Sequence, residues 1–298
     1  MPKVSIITPA YNPGSFLDDT VQSVINQTFT DWEMIIVDDG STEDISYITT
    51  KHPAITLIRQ ENCGLSVARN TGILNSTGEL LAFLDADDVW LPSKLESQVQ
   101  VMAEDATAGL CHTHTDFVDD QGNRLGSSFT KRVDSYIGLL KQCTICVSSV
   151  MLRRECLSVS GLFDPLYVSV QDYDMWLKIA PYYKFAFIPI SLTQYRVHDR
   201  SMSSNYLMVY EEVKSLLQRH IRHAQRHKDI GALAAAQIGL NQVRVGYGCQ
   251  AFDCSRGSFN QKDWPSFRGH LRTALRLAPA HVIKSIYSNV FRRQKSCL

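Results

Sequence analysis

The sequence predicts an α/β fold: a doubly wound, mixed but mostly parallel sheet flanked by helices, with a helical extension at its C-terminal end. Three observations carry this. Short apolar runs alternate with helical patterns through the first hundred residues, the order that builds a parallel sheet. Two of those runs end abruptly in carboxylates, Asp38-Asp39 and Asp85-Ala86-Asp87-Asp88, and strand C-termini form the ligand-binding rim of an open α/β sheet. The charge then changes sign along the chain. Residues 1–199 carry a net −11 and residues 200–298 a net +11, although the whole is neutral.

Val4-Ser5-Ile6-Ile7 reads as the first strand, closed by the turn residues Thr8 to Gly14. Phe16, Leu17, Val21, Val24 and Ile25 follow helical spacing, with Ser15 placed to cap. Met34 to Val37 and Thr56 to Ile58 are strands, and Gly64 to Asn75 a helix with Leu65, Ala68, Gly72 and Ile73 on one side. Leu80 to Leu84, five apolar residues, has the length of a strand buried on both faces. A helix from Ser93 to Met102 turns Leu95, Val99 and Met102 inward, and Ala108 to Val118 is a strand turning at Asp119–Asn123 towards an antiparallel partner. An amphipathic helix begins at Gln171-Asp172-Tyr173-Asp174, where carboxylates suit the positive helix end. Lys184 to Ile190 is again β-like, and a cationic segment from Gln194 to Arg200 follows it.

A 44% hydrophobic and 20% charged composition is that of a globular chain, and no apolar run reaches the ~18 residues of a membrane span. Met1-Pro2-Lys3 leads straight into a strand without a signal-peptide pattern, which predicts a cytoplasmic location and reduced thiols for the eight cysteines. Cys143-Thr-Ile-Cys146 has no second pair to complete a zinc site and reads as core cysteines. His112 and His114 share one strand face, where hydrogen-bonded histidines are expected in preference to metal ligands.

The densest chemistry lies at Asp85-Ala86-Asp87-Asp88. Three carboxylates in four residues repel one another and favour a cation, and magnesium takes one or two carboxylates plus substrate phosphates. The plain alternative is an acidic loop in which Asp88 caps the helix beginning near Pro92.

The segments SIITPAYNPGSFLDDTVQSVINQTFTDWEMIIVDDGSTED, NCGLSVARNTGILNSTGELLAFLDADDVWLPSKLE, QDYDMWLKI and YRVHDRSMS, within residues 4–204, together resemble the family 2 glycosyltransferases of GT-A fold. The resemblance implies a catalytic domain at 1–204 that moves a sugar, with inversion, from a nucleotide diphosphate to a hydroxyl of a glycan, a lipid-linked glycan or a protein. It implies that Pro9, Ala10 and Tyr11 pack on the nucleotide base. Asp39, with Asp38 as a helper, would contact base and ribose; Arg69 would lie near base or phosphates; Asp85 would face the ribose. Asp87 of the DxD motif and His198 would ligate a divalent ion, manganese or magnesium, with Arg196 and Arg200 adding positive charge there. Asp172 is the implied catalytic base. The chain departs from the family's usual Glu-Asp in having Gln171 before it. Asp174 is the fallback base, or else a surface carboxylate. Alternatives are a sugar-nucleotide-binding scaffold without catalysis, or a nucleotidyltransferase, although the latter's Gly-rich phosphate loop is missing at Thr8-Pro9-Ala10-Tyr11.

Residues 205–298 form the basic, mostly helical region outside the resemblance. Helices are read at Tyr206–Arg226, Ile230–Tyr247 and Trp264–Leu277, the last stopped by Pro279. Val282, Ile283, Ile286, Tyr287, Val290 and Phe291 form an apolar stripe followed by cations. It is expected to pack on the catalytic domain or on a second copy in a homodimer, with peripheral contact at the inner face of an anionic membrane as the alternative. Aromatic residues are not interleaved with the cations in a stacking pattern, so no nucleic-acid partner is expected.

Overall fold

A computed structural model describes residues 1–126, 133–198 and 205–285. The chain divides into two compact units, one of residues 1–139 and 143–204, the other of residues 140–142 and 205–298.

In the first unit the order is β1 (Val4–Ala10), α1 (Phe16–Ile25), β2 (Trp32–Asp39), β3 (Ile55–Gln60), α2 (Leu65–Leu74), β4 (Leu80–Phe83), β5 (Val89–Trp90) and α3 (Lys94–Glu104). There follow β6 (Ala108–Val118), β7 (Arg124–Gly126), α4 (Tyr136–Lys141, shared with the second unit), β8 (Met151–Arg153), α5 (Leu157–Ser160), α6 (Gln171–Ile179) and β9 (Lys184–Arg196). The sheet runs β3-β2-β1-β4-β8-β6-β9-β5, with β7 beside β6. The first four strands are mutually parallel. Beyond them β8 runs antiparallel to β4 and β6, β9 pairs parallel with β6, and β5 pairs antiparallel with β9. Because β1, β2 and β4 are parallel, the end of β1 and the carboxylate-bearing ends of β2 and β4 meet at one rim.

Every residue of β1 and β4 is buried. On one face Ile6, Met34 and Ile36 join Leu17, Val21 and Val24 of α1 in the core, while α2 covers Ile7 and Val37 on the other. Strand β1 extends past the expected turn through Thr8, Pro9 and Ala10. Pro9 is tolerated because its pairing with β4 ends at Ile7↔Phe83, so a missing N–H costs no bond on that side. Ser15 sits at the N-cap of α1 without a side-chain cap bond, a correction to its expected role.

The second unit contains α7 (Tyr206–His227), α8 (Ile230–Asn260) and α9 (Trp264–Leu277). Each starts on a side-chain cap: Asn205 accepts from the Met208 amide, Asp229 from that of Ala232 and Asp263 from that of Ser266. Tyr206, Ala251, Phe252, Ala274 and Val282 form its core. Helix α8 runs thirteen residues past the expected Tyr247. Gly248 lets it approach residue 278 closely, since a Cβ there would stand 2.6 Å from the Ala278 Cβ; packing thus overrides the glycine's poor helix propensity. Residues 279–285 are helical, so Pro279 opens a new stretch as well as ending α9. Of the apolar stripe, Val282 is buried and Ile283 half exposed, and residues 286–291 lie outside the described residues. Among the described residues no helix is long and apolar enough to cross a membrane.

Candidate active site

At the rim formed by β1, β2 and β4 lies a cleft of about 750 Å³, within the size range of small-molecule sites. Pro9, Ala10, Tyr11, Asp39, Asp85, Asp87 and His198, all read as candidates from the sequence, line it. Pro9 and Ala10 end β1, and Tyr11 follows them with its ring exposed. Asp39 ends β2, Asp85 and Asp87 follow β4, and His198 follows β9. Phe16, Asn62, Leu65, Val168 and Tyr195 also line the cleft. Nothing in their spacing singled them out, because the chain brings them from four separate segments.

The strand's alternation separates the two carboxylates of β2. Asp39 faces the cleft, and its oxygens accept from Gln60 Nε2 (2.7 Å), the Cys63 amide (3.0 Å) and the Gly64 amide (2.9 Å). It thereby anchors the loop before α2, whose N-cap Gly64 adopts φ +91°, a value other residues resist. Asp38 is buried, accepts from the Ser41 amide at 2.8 Å and stands 3.6 Å from Arg59. It is outside the cleft lining and supports the turn.

The acidic turn after β4 is held from behind. Ser148 Oγ accepts from the Asp85 amide (3.1 Å) and donates to Asp88 Oδ2 (2.5 Å). The Arg196 amide donates to Asp88 Oδ1 (3.0 Å), and its guanidinium donates to the carbonyls of Asp87 (3.0 Å) and Asp120 (2.7 Å). The same guanidinium lies over the Phe16 ring and pairs with Asp19 at 3.2 Å. Asp88 is therefore a buried strut and not the cap of α3. Burial first, then repulsion from Asp87 and Asp85, holds its carboxyl well above the usual range. Arg196 clamps the turn through backbone carbonyls, while Arg200 lies outside the described residues. Ser148 carried no sequence signal, since its role depends on a long-range contact.

Asp87 Oδ2 and His198 Nε2 are 2.9 Å apart, and the imidazole stacks on Phe16. Burial and the nearby Asp85 raise the Asp87 carboxyl, and His198 opposes them. Arg69 is almost fully buried beneath the rim, 2.6 Å from Asp85 and over the Phe163 ring. It supports Asp85 and does not itself line the cleft.

Asp172 is partly exposed in the first turn of α6, and its Oδ1 accepts from the Tyr173 amide at 2.7 Å. It is not among the lining residues. Burial pushes its carboxyl up to about 6, against the pull of Arg69. Gln171 is buried. Asp174 is also buried and pairs with Lys178 at 2.7 Å, so the surface-carboxylate reading is corrected: four residues on, the helix returns a cation to it. His112 and His114 pack on Phe187, and burial lowers the His112 imidazole to about 4. Burial raises the thiols of Cys143 and Cys146, as for inert cysteines. Among the described residues no cluster of three or more His, Cys, Asp or Glu is placed to hold a metal by itself.

The sequence profile of Glycosyl transferase family 2 matches residues 5–157. The chain belongs to this family. TuaG of Bacillus subtilis (strain 168), a glycosyltransferase assigned to teichuronic acid biosynthesis, is 34% identical over 230 residues, covering 72% of this chain and 90% of TuaG. The Escherichia coli WfgD, a UDP-Glc:alpha-D-GlcNAc-diphosphoundecaprenol beta-1,3-glucosyltransferase, is 28% identical over 85% of this chain and 97% of its own. Among solved structures, Staphylococcus aureus TarS 1-349 in complex with UDP-GlcNAc superimposes with a TM-score of 0.64 at 16% identity, covering 91% of both chains. The mannosyltransferase PcManGT of Pyrobaculum calidifontis in complex with GDP-Man and Mn2+ gives 0.59 at 19% identity, over 92% of this chain and 86% of that one. The fold is GT-A, and the chain is a glycosyltransferase.

Proposed function

We propose that the chain is a metal-dependent, inverting glycosyltransferase that moves a sugar from a UDP-sugar to a hydroxyl of a lipid-linked glycan. The observation that carries this is the meeting of Tyr11, Asp39, Asp85, Asp87 and His198 in one cleft at the rim of the parallel strands. UDP and UDP-GlcNAc in the TarS structures, and the donor and acceptor in WfgD's name, support the substrate classes.

Asp39 Oδ2 accepts one hydrogen bond and keeps a lone pair for a ribose hydroxyl or base N–H. Tyr11 offers a ring face to the base. Asp87 and His198 offer one carboxylate and one imidazole, a donor set that fits a divalent ion completed by diphosphate oxygens, and imidazole favours manganese over magnesium. Such an ion neutralises charge on the leaving diphosphate. Asp172 takes the proton of the acceptor hydroxyl as that oxygen bonds to the anomeric carbon. The bond from that carbon to the diphosphate oxygen breaks, and the diphosphate leaves with the electron pair. A single displacement from the opposite face inverts the anomeric centre. A carboxyl that titrates near 6 is ionised at neutral pH yet basic enough to share the proton.

Thermal stabilisation by UDP, GDP and dTDP, each with manganese and with EDTA, tests the reading. UDP should raise the midpoint in a concentration-dependent way, and more so with metal. No shift with any nucleotide would mean that the cleft binds none of them and would remove the reading.

A further inference from the structure

The turn between α8 and α9 ends in an exposed aromatic cluster. Phe259, in the last turn of α8, and Trp264, the first residue of α9, are each 50% exposed. Their rings are 5.5 Å apart, and Phe267 lies 5.5 Å from Phe259 and 6.1 Å from Trp264. The three rings pack on one another at the tip of a helical hairpin, where water reaches the outer two. Four cations within eight residues of them along the chain are exposed: Arg256, Lys262, Arg268 and Arg272. None is ion-paired among the described residues. The neighbouring Asp263 is occupied as the cap of α9, so its carboxylate is turned to the helix amide.

Rings with apolar bodies, and a Trp N–H at one edge, suit the boundary between headgroups and acyl chains. Cations beside them meet anionic headgroups. A second protein would also cover the rings, but the surplus of positive charge, +11 over residues 200–298, favours an anionic surface. We infer that the α8–α9 tip is a membrane-docking element that inserts Phe259 and Trp264 into the surface of an anionic bilayer while Arg256, Lys262, Arg268 and Arg272 engage its headgroups. The inference rests on the C-terminal unit alone. It agrees with a lipid-linked acceptor, but neither needs the other.

Trp264 makes the test specific, because Trp32, Trp90 and Trp176 are buried. The full chain is floated with vesicles of phosphatidylcholine containing about a third phosphatidylglycerol, and with phosphatidylcholine alone, the anionic set being the one expected to hold it. Trp264 emission is followed with lipids brominated along the acyl chain. The chain should float with the anionic vesicles, and the bromolipids should quench Trp264. Phe259→Ser/Trp264→Ser and a second variant with the four cations changed to Gln should each lose binding by roughly tenfold or more. Both should keep the far-UV circular dichroism of the parent and transfer to a soluble acceptor. Three outcomes overturn the inference: no flotation, flotation without quenching of Trp264, or undiminished flotation of both variants. So does a dimer in solution that the aromatic variant dissolves, since a second copy would then cover the tip. Loss of transfer with vesicle binding intact would count against the proposed function and leave this inference standing.

Discussion

Ser148 Oγ stands 2.5 Å from Asp88 Oδ2 and 3.1 Å from the Asp85 amide, so one hydroxyl ties together the two ends of the acidic turn. Ser148 is fully buried. Ser148→Ala should cost about 1–3 kcal/mol in urea unfolding, the usual penalty for stranding a buried polar group. It should also shrink the metal-dependent thermal shift with UDP, because Asp85 and Asp87 lose their support. A nucleotide shift equal to that of the parent would mean that Arg196 alone holds the turn.

The three carboxylates of greatest interest should separate cleanly. Asp87→Asn and Asp172→Asn should each abolish detectable transfer, and loss of the base alone removes about 100- to 10,000-fold. Asp174→Asn should leave the turnover of folded enzyme intact but lower its melting temperature, since Lys178 loses a buried partner. Activity assays paired with calorimetry distinguish the effects. A fully active Asp172→Asn removes the proposed mechanism.

The pH dependence follows from the Asp172 carboxyl, which burial raises to about 6. Below that value it is protonated and cannot accept the acceptor's proton. In the free enzyme kcat/KM should therefore fall about tenfold per unit on the acid side of about 6. The stability sign is the opposite. A carboxyl raised in the folded state binds its proton more tightly than in the unfolded chain, so its contribution declines as pH rises from about 4 to about 6. Above that range Asp172→Asn should be more stable than the parent. An acid limb in kcat/KM that stays near pH 4 would assign the base elsewhere.

Lys94 is wholly buried with its Nζ 3.5 Å from the Trp90 ring centre, and the amine has no hydrogen-bond partner among the described residues. Burial lowers it well below an ordinary lysine. Between that lowered value and the ~10.4 of an unfolded lysine, the unfolded chain binds more protons, so parent stability rises with pH. Lys94→Met keeps most of the stem and removes the amine. It should be more stable than the parent at pH 7, with the gap narrowing towards pH 10 in urea titrations. A less stable variant at both pH values would mean that the ammonium is charged and held by Trp90.

Much of the architecture was legible because the local code was strong. The apolar runs at Val4, Met34 and Leu80 have the length and composition of buried strands, and β6 occupies the expected Ala108–Val118. Asp229 and Asp263 cap helices whose starts the periodicity had already marked. In the site, the carboxylates that end β2 and follow β4 announced a common rim, because parallel strands must end on one side of a sheet. The segment from Val133 to Leu166 was not legible. Its strand β8 is only three residues long, and its direction depends on pairing with β4 and β6.

By itself, then, the sequence determined most of the strand and helix order, the acidic rim and the family, since each is written in contiguous residues. Only the tertiary structure decided where each carboxylate points and what it meets. Asp38 and Asp39 are neighbours, yet strand alternation sends one to a buried turn and the other to the cleft. Asp87 meets His198 across 111 positions while Asp88, beside it, meets Ser148 across 60. Such pairings depend on which distant segments the fold brings within hydrogen-bond reach, and local pattern carries no record of that distance.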